Sequence, residues 1–323
     1  METTTNIPRV VIVVPCYNEQ EVLPISSKRL SEILAAMVDH KLVSPDSRVL
    51  YVDDGSRDNT WQEIEKIHAA DNTACGIRFA ANRGHQNAVL AGIDTAIDKM
   101  EADAVISIDA DLQDNPGTIF DMLRLMGEGN DVVLGVRRSR SSDSWFKRTT
   151  AQGFYRLMKR LGVNIVYNHA DYRLLSRRAA QALQGYRERN MFLRGVVAQL
   201  GFRQATVEYD RTERLAGETK YPLGKMINFA TDGITSFSVK PVRMVFSLGL
   251  IFIFITLLQL GYVLWAYFSH KAQSGWSSLM LSLWFIGGCI LVSLGIIGEY
   301  IAKIYLETKQ RPRYTIEQEL GLN

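Results

Sequence analysis

The sequence has little cysteine, no glycine signature for a nucleotide loop and, over one stretch, almost no charge. Three cysteines (Cys16, Cys75 and Cys289) are scattered among 323 residues without metal-like spacing. That excludes a disulfide framework and a zinc site, and it fits a reducing compartment. No G-x-x-x-x-G-K-[ST] or G-x-G-x-x-G segment occurs, so phosphates are not held by a backbone cradle of either type. The N-terminal METTTNIPRVVIVVP lacks a charged start and a long apolar core; its apolar run, 10–14, reads as a strand and not as a secretory signal. Net charge is +3, from 37 Lys+Arg against 34 Asp+Glu. That is too mild to argue for nucleic-acid binding, which needs a concentrated basic face.

Charge is missing altogether from 244–268 and 277–298. Each run exceeds the roughly 20 residues with which a helix crosses a bilayer core, and the short SHKAQSGW between them makes a helical hairpin. Trp265, Tyr267 and Trp276 fall where interfacial aromatics belong. Lys225, Lys240 and Arg243 precede the pair and Lys303, Lys309, Arg311 and Arg313 follow it, whereas the connecting loop holds Lys271 alone. By the positive-inside rule both termini are cytoplasmic and the protein is multi-pass. One hairpin is too small for a transport path, so it reads as an anchor.

Two more segments are expected at the membrane surface as amphipathic helices. In 221–241, Leu223, Met226, Ile227, Ala230, Ile234 and Phe237 share one helical face. In 144–162, Phe154, Leu157, Met158 and Leu161 form a stripe among basic residues, as suits an anionic bilayer. The alternative for each is a helix packed on its own domain.

From Arg9 to about Tyr209, β-rich runs alternate with helical patterns, which implies a mostly parallel sheet with helices on both faces. In such sheets ligands bind beyond the carboxyl ends of the strands. The acidic clusters YVDDGSRDNT (51–60) and SIDADLQDNP (107–116) stand at two of those ends. Carboxylates there suit a divalent cation that bridges phosphates. Asp109 and Asp111 can reach one hard cation, with Gln113 nearby; helix capping by Asp114 or Asn115 ahead of Pro116 leaves that pair unexplained.

VVPCYNEQEVLP, YVDDGSRDNT, NRGHQNAVLAGID, SIDADLQDNP, DYRLLSRRA and ERLAGETKY occur in an order that resembles the family-two inverting glycosyltransferases, of the polyprenyl-phosphate (bactoprenol) type. The resemblance continues through the hairpin to GEYIAKIYLETKQRPRY and departs at Thr219, where the family usually has Ser. It implies an α/β fold: a single Rossmann-like nucleotide-sugar domain of GT-A type with a C-terminal two-helix transmembrane hairpin. The expected divisions are a cytoplasmic glycosyltransferase domain at 1–222, an interfacial helix at 223–240, two spans within 241–298 and a cytoplasmic tail at 299–323.

Residue by residue, the resemblance implies that Pro15, Tyr17 and Glu19 surround the nucleoside and that Asp53 bonds the base, with Asp54 and Asn82 completing the pocket. Asp109, Asp111 and Gln113 match the metal motif, with Mg²⁺ or Mn²⁺ expected. Arg214 and Lys220 match positions near the donor diphosphate, and Arg137 and Arg148 resemble positions that bind an acceptor phosphate. Asp111 and Asp171 are the expected catalytic residues, although Asp171 could instead pair structurally with Arg173; His85 and His169 read as local hydrogen bonders. The implied reaction moves a hexose from a nucleotide sugar, UDP-glucose first, to undecaprenyl or another polyprenyl phosphate on the cytoplasmic face of a bacterial inner membrane. UDP-N-acetylhexosamine, an aminoarabinose nucleotide and GDP-mannose remain open as donors. A processive polysaccharide synthase is disfavoured because no Q-x-x-R-W segment is present. A homo-oligomer is expected from Gly287, Gly288, Gly295 and Gly298 in the second span, and no nucleic-acid partner is.

Overall fold

The run VVIVVPC becomes β1 (Val10–Cys16), and every residue in it is buried. A computed structural model describes residues 7–138, 169–189, 191–210, 240–269 and 275–322. Continuous β-branched runs of this kind suit a parallel strand covered on both faces. β1 pairs in parallel with β2 (Arg48–Asp53) on one side and with β4 (Ala104–Ser107) on the other, and β3 (Ala74–Phe79) extends the sheet beyond β2. The helices between them are α1 (Leu23–Asp39), α2 (Thr60–Ala70) and α3 (His85–Asp98).

Side chains of β1 alternate between two helical layers. Val10, Ile12 and Val14 join a cluster with Leu30, Met37, Trp61 and Met122, drawn from α1, α2 and α4 (Ile119–Gly127). Val13 faces α3: a Cβ on Gly92 would overlap Val13 Cγ1 and lie 3.1 Å from Val52 Cγ2. Glycine therefore lets α3 settle close against the sheet. Each fully buried Val, Leu or Ile contributes roughly 1.5–3 kcal/mol.

After β4 the topology changes. β5 (Val132–Arg137), β6 (His169–Ser176) and β7 (Gln204–Tyr209) complete one wing, with α5 (Arg177–Gln184) and α6 (Leu193–Gln199) between the last two strands. With β8 (Ile316–Leu320) at the far edge, the order across the sheet is β7-β5-β6-β4-β1-β2-β3-β8. The chain thus reverses direction across the sheet between β1 and β4, the place where such sheets open a crevice. β6 runs antiparallel to both β4 and β5, with Ser107 opposite Arg173 and Val136 opposite His169. Its first residues therefore lie at the rim where β1, β2, β4 and β5 end.

The segment 299–323, a tail in the sequence reading, supplies structure. β8 (Ile316–Leu320) pairs antiparallel with β3, Gly76 opposite Leu320. Tyr314 stacks on Phe79 with centroids 5.1 Å apart, and its hydroxyl donates to Asp94 Oδ2 at 2.7 Å. Arg189 donates to the carbonyls of Arg311 and Pro312, and Lys99 pairs with Glu319. An otherwise open sheet edge is covered.

By contact the chain falls into two compact units: the sheet with its helices and the chain from Arg311 onward, and a second unit containing the long helices. Those are α7 (Lys240–Phe268) and α8 (Trp276–Thr308); α8 runs past 298, where the sequence pattern ends the span. Phe252 and Phe285 meet edge to face at 5.6 Å between the two helices. Among the described residues, Phe285–Thr308 is long and apolar enough to cross a membrane, and none of its most apolar window is buried. Phe246 is 70% and Leu291 72% exposed, an apolar surface of the kind that marks a membrane or partner contact. The two amphipathic segments expected at 144–162 and 221–241 lie outside the described residues, apart from the first residues of α7.

Candidate active site

Two loops at the ends of β1 and β2 are stitched together. The N–H of Asn18 donates to Ser56 Oγ at 3.0 Å, Arg57 N–H to Asn18 Oδ1 at 2.9 Å and Glu19 N–H to Thr60 Oγ1 at 2.9 Å. Asn18 and Gly55 both take positive φ, +55° and +63°. At Gly55 a Cβ would stand 2.7 Å from the Ala81 carbonyl carbon, so a third loop, after β3, presses against the same point. Pro15 is buried in β1, Tyr17 and Asn82 are exposed, and Glu19 is half-buried.

The two aspartates of this corner do different things. Asp53 is fully buried; Oδ1 accepts the Ser56 N–H at 3.0 Å and Oδ2 lies 3.5 Å from Arg78 Nε without a hydrogen-bond partner. Burial pushes its pKa up, and Ser56 and Arg78 pull it back in part. Asp54 accepts the N–H groups of Arg83 at 2.6 Å and Gly84 at 2.8 Å. Both of its oxygens thus hold the loop that opens α3. Burial raises its pKa too, against those bonds.

Beyond β4, Asp109 and Asp111 lie in a tight turn that ends at Leu112, which adopts a left-handed φ of +46°. The N–H of Leu112 bonds to the Asp109 carbonyl at 3.2 Å, and that of Gln113 to Asp111 Oδ1 at 3.2 Å. Left-handed backbone on a γ-branched residue is a strain that tends to persist at functional sites. Asn115 caps the next turn by accepting the Gly117 N–H at 2.9 Å. Asp114 is buried and grips Arg137, with Nε to Oδ1 and Nη2 to Oδ2 both 3.1 Å.

β6 brings Asp171 to the same rim. His85, the first residue of α3, stands between the two strand ends, Nε2 3.6 Å from Asp109 Oδ1 and 3.7 Å from Asp171 Oδ2. On its other side Asp171 meets Arg173 and Arg194; Arg194 Nη2 reaches Oδ2 at 2.7 Å and Nε reaches Oδ1 at 3.2 Å. Burial pushes the Asp171 pKa up, but Arg173 and Arg194 outweigh it and hold the carboxyl well below the usual range. Asp109 goes the other way: burial and the charges of Asp171, Asp114 and Asp111 push its pKa up, against the pull of His85.

This collection of carboxylates fits a hard divalent cation. Among the described residues no three His, Cys, Asp or Glu side chains could hold a metal ion by themselves. A hard divalent cation can be held by one or two carboxylates, with the remaining positions filled by water and substrate phosphates. Asp109 and Asp111 would hold the ion; Gln113 follows them, buried, with its N–H donating to Asp111 Oδ1.

The structure therefore brings Asp109, Asp111, Gln113, Arg137 and Asp171 to one rim and Pro15, Tyr17, Glu19, Asp53, Asp54 and Asn82 to the neighbouring corner. Arg148, Arg214 and Lys220 lie outside the described residues. The Asp171–Arg173 pair left open by the sequence is present. Sequence reasoning missed Arg194, which lies in none of the motifs, and gave His85, within NRGHQNAVLAGID, only a local role.

Residues 11–184 match the model for glycosyl transferase family 2, and 240–304 match the GtrB C-terminal hairpin. The chain is 48% identical to an uncharacterised glycosyltransferase of Bacillus subtilis (strain 168), over 97% of this chain and 92% of that protein. It is 36% identical to a bactoprenol glucosyl transferase of Shigella phage SfX and 35% identical to a prophage bactoprenol glucosyl transferase homolog of Escherichia coli (strain K12), each over 96% of this chain and 99% of the relative. The doubly wound sheet, the acidic strand ends and a likeness that runs the length of the chain agree: this protein belongs to glycosyl transferase family 2 and is a glycosyltransferase.

Proposed function

We propose that the protein is a membrane-anchored inverting glycosyltransferase that moves a hexose from a nucleotide sugar to a polyprenyl phosphate at the cytoplasmic face of the membrane. UDP-glucose is the first candidate donor. The observation that carries the acceptor class is the environment of Asp171. Two arginines hold this carboxylate ionised, which makes it a poor proton acceptor. A sugar hydroxyl would need a general base. A phosphate monoester, with a second pKa near ~6, arrives mostly as the dianion and needs none. The relatives' bactoprenol names and the outward apolar surfaces of α7 and α8 support the same class of acceptor.

In this reading the nucleoside sits over Tyr17, Glu19 and Asn82, with Asp53 behind them. Asp109, Asp111 and Gln113 would hold a Mg²⁺ or Mn²⁺ ion, and Arg214 and Lys220 are the basic residues assigned to the donor diphosphate. When bound, that ion neutralises charge on the departing nucleoside diphosphate. Asp171 keeps the arginine side of the site in register, and the acceptor oxygen attacks the anomeric carbon from the opposite face to the leaving group. A lipid phosphate stays at the bilayer surface, so the anchor brings the site to its substrate. Both termini are then cytoplasmic, an orientation that the flanking Lys and Arg residues support.

The test is transfer of radiolabelled sugar from a panel of nucleotide sugars (UDP-glucose, UDP-N-acetylhexosamine, UDP-aminoarabinose and GDP-mannose) to undecaprenyl phosphate, with an EDTA control. One donor giving an organic-extractable, EDTA-sensitive product is expected. Absence of labelled lipid from every donor overturns the lipid acceptor.

A further inference from the structure

Asp53, Arg78 and Glu317 stand on three neighbouring strands, β2, β3 and β8. Asp53 lies directly opposite Arg78 in the parallel β2–β3 pair. On the other side of β3, Arg78 is opposite Gln318 and Phe79 is opposite Ile316. Glu317 is therefore the extra residue of a β-bulge. A bulge re-aims a side chain, and bulges gather at sheet edges and beside active sites. Here Glu317 Oε2 comes to 3.8 Å from Arg78 Nε, which itself lies 3.5 Å from Asp53 Oδ2.

Neither distance is that of a formed hydrogen bond. Arg78 Nε and Asp53 Oδ2 are both buried and have no hydrogen-bond partner among the described residues. A guanidinium beside a single carboxylate closes onto it, at about 2.7–2.9 Å. Arg78 instead stands between two carboxylates, Asp53 wholly buried and Glu317 half-exposed. Glu317 thus opposes closure of Arg78 onto Asp53. The Asp53 carboxylate spends Oδ1 on the Ser56 N–H and keeps Oδ2 in reserve. Stability explains the outer pair poorly, because half-exposed ion pairs contribute little. The strand that carries Glu317 is fixed on both sides of it: the Thr315 carbonyl accepts the Ala80 N–H at 3.1 Å, and the Gly321 carbonyl accepts the Cys75 thiol at 2.9 Å.

We propose that Glu317 is a positioning residue for the donor nucleoside: by drawing Arg78 away from Asp53, it leaves Asp53 Oδ2 to accept an N–H from the base. An ionised carboxylate only accepts hydrogen bonds, so a base N–H is what Oδ2 can recognise. Without Glu317, Arg78 closes onto Oδ2 and masks it. This rests on the reading of Asp53 as the carboxylate behind the nucleoside, and it adds the C-terminal strand to the donor site.

The test is calorimetric binding of UDP to the full-length protein in detergent with Mg²⁺, with inorganic pyrophosphate as a ligand that has no base. GDP takes the place of UDP if wild type binds only GDP. The nucleotide Kd is expected to rise about 10-fold in Glu317→Gln, the low end for a lost hydrogen bond to a charged group, and further in Glu317→Lys, whose charge repels Arg78. The pyrophosphate Kd stays within about 2-fold in both, a change too small to signify a lost contact. In an Arg78→Gln background, Glu317→Gln changes the nucleotide Kd by less than about 2-fold, because the effect passes through Arg78. An unchanged nucleotide Kd in both Glu317 variants overturns the assignment. So does an equal loss of nucleotide and pyrophosphate, which reports a loosened domain, or a full Glu317 effect without Arg78. If Arg78→Gln does not fold, the order wild type, Glu317→Gln, Glu317→Lys decides, and any other order overturns it. In these failures Asp53→Asn still weakens the nucleotide. If Asp53→Asn binds it as wild type does, the nucleoside reading falls and the role of Glu317 falls with it.

Discussion

The carboxylate of Asp54 closes onto the backbone at Gly84, Oδ2 accepting its N–H at 2.8 Å while Oδ1 accepts that of Arg83 at 2.6 Å. The loop that delivers His85 to the rim is therefore tied to the end of β2. Asp54→Ala leaves two backbone donors without their acceptor and is expected to cost about 1–3 kcal/mol. Asp54→Asn retains one acceptor oxygen and falls between. Thermal unfolding of the purified variants gives the order, and equal melting temperatures for all three proteins would contradict the tie.

Tyr314 is the point at which the C-terminal segment grips the sheet. Tyr314→Ala loses the stack on Phe79 and the bond to Asp94, an expected loss of about 3–5 kcal/mol. Tyr314→Phe loses only the bond, about 1 kcal/mol. Deleting 311–323 uncovers the edge of β3 and is expected to produce aggregation, read by size-exclusion chromatography.

Asp131 gives a pH dependence away from the active site. Hydrogen bonds from Arg178 and Ser176 hold its pKa below the usual carboxylate value. A depressed folded pKa stabilises the fold above the unfolded value of about 3.9 and loses that contribution as pH falls through the folded value. Asp131→Asn therefore melts below wild type at pH 7, and the gap narrows on acidification below about pH 4. Melting curves across that window check the sign.

Asp109→Asn and Asp111→Asn are each expected to lower kcat by about 10²–10³-fold, the range for removing one group that stabilises developing charge. EDTA abolishes wild-type activity and added Mg²⁺ or Mn²⁺ restores it. Each variant needs a higher metal concentration for half-maximal rate, and an unchanged metal requirement would move the cation elsewhere.

Asp171→Asn lowers turnover and leaves the pH–rate profile in its wild-type shape, because the group replaced is ionised throughout the working range. Activity of the variant that recovers at high pH would restore Asp171 as a lost base.

The mouth of the sheet was legible because its signals are local. YVDD and SIDAD place carboxylates directly after β-branched runs, and strand followed by helix at short intervals limits the topology to a few possibilities. Asp171 was legible only through resemblance, since its position depends on β6 entering the sheet antiparallel at the rim where β4 leaves it. Arg194 was illegible: it lies in MFLRG, a segment with no chemical pattern, and gains its meaning from a contact with Asp171 made through the fold. β8 was missed for another reason. IEQEL is mostly polar and outward-facing, so it lacks the alternation that marks a half-buried strand, and only its pairing with β3 makes it one. The long helices were read from composition alone, although the helical conformation of α8 outlasts its uncharged run because Glu299, Lys303 and Glu307 still form helix well.

The sheet has a consequence for the order in which the protein is made. Chain order runs from β7 through α7 and α8 before it reaches β8, and a ribosome releases these segments in that sequence. Both apolar helices thus emerge while the edge of β3 still lacks its neighbour. Nascent chains are most prone to wrong pairing in that interval, because an unpaired strand edge accepts any other strand. The last bonds of the sheet form only after both long helices have been synthesised, so a finished sheet is itself a sign that translation has passed them.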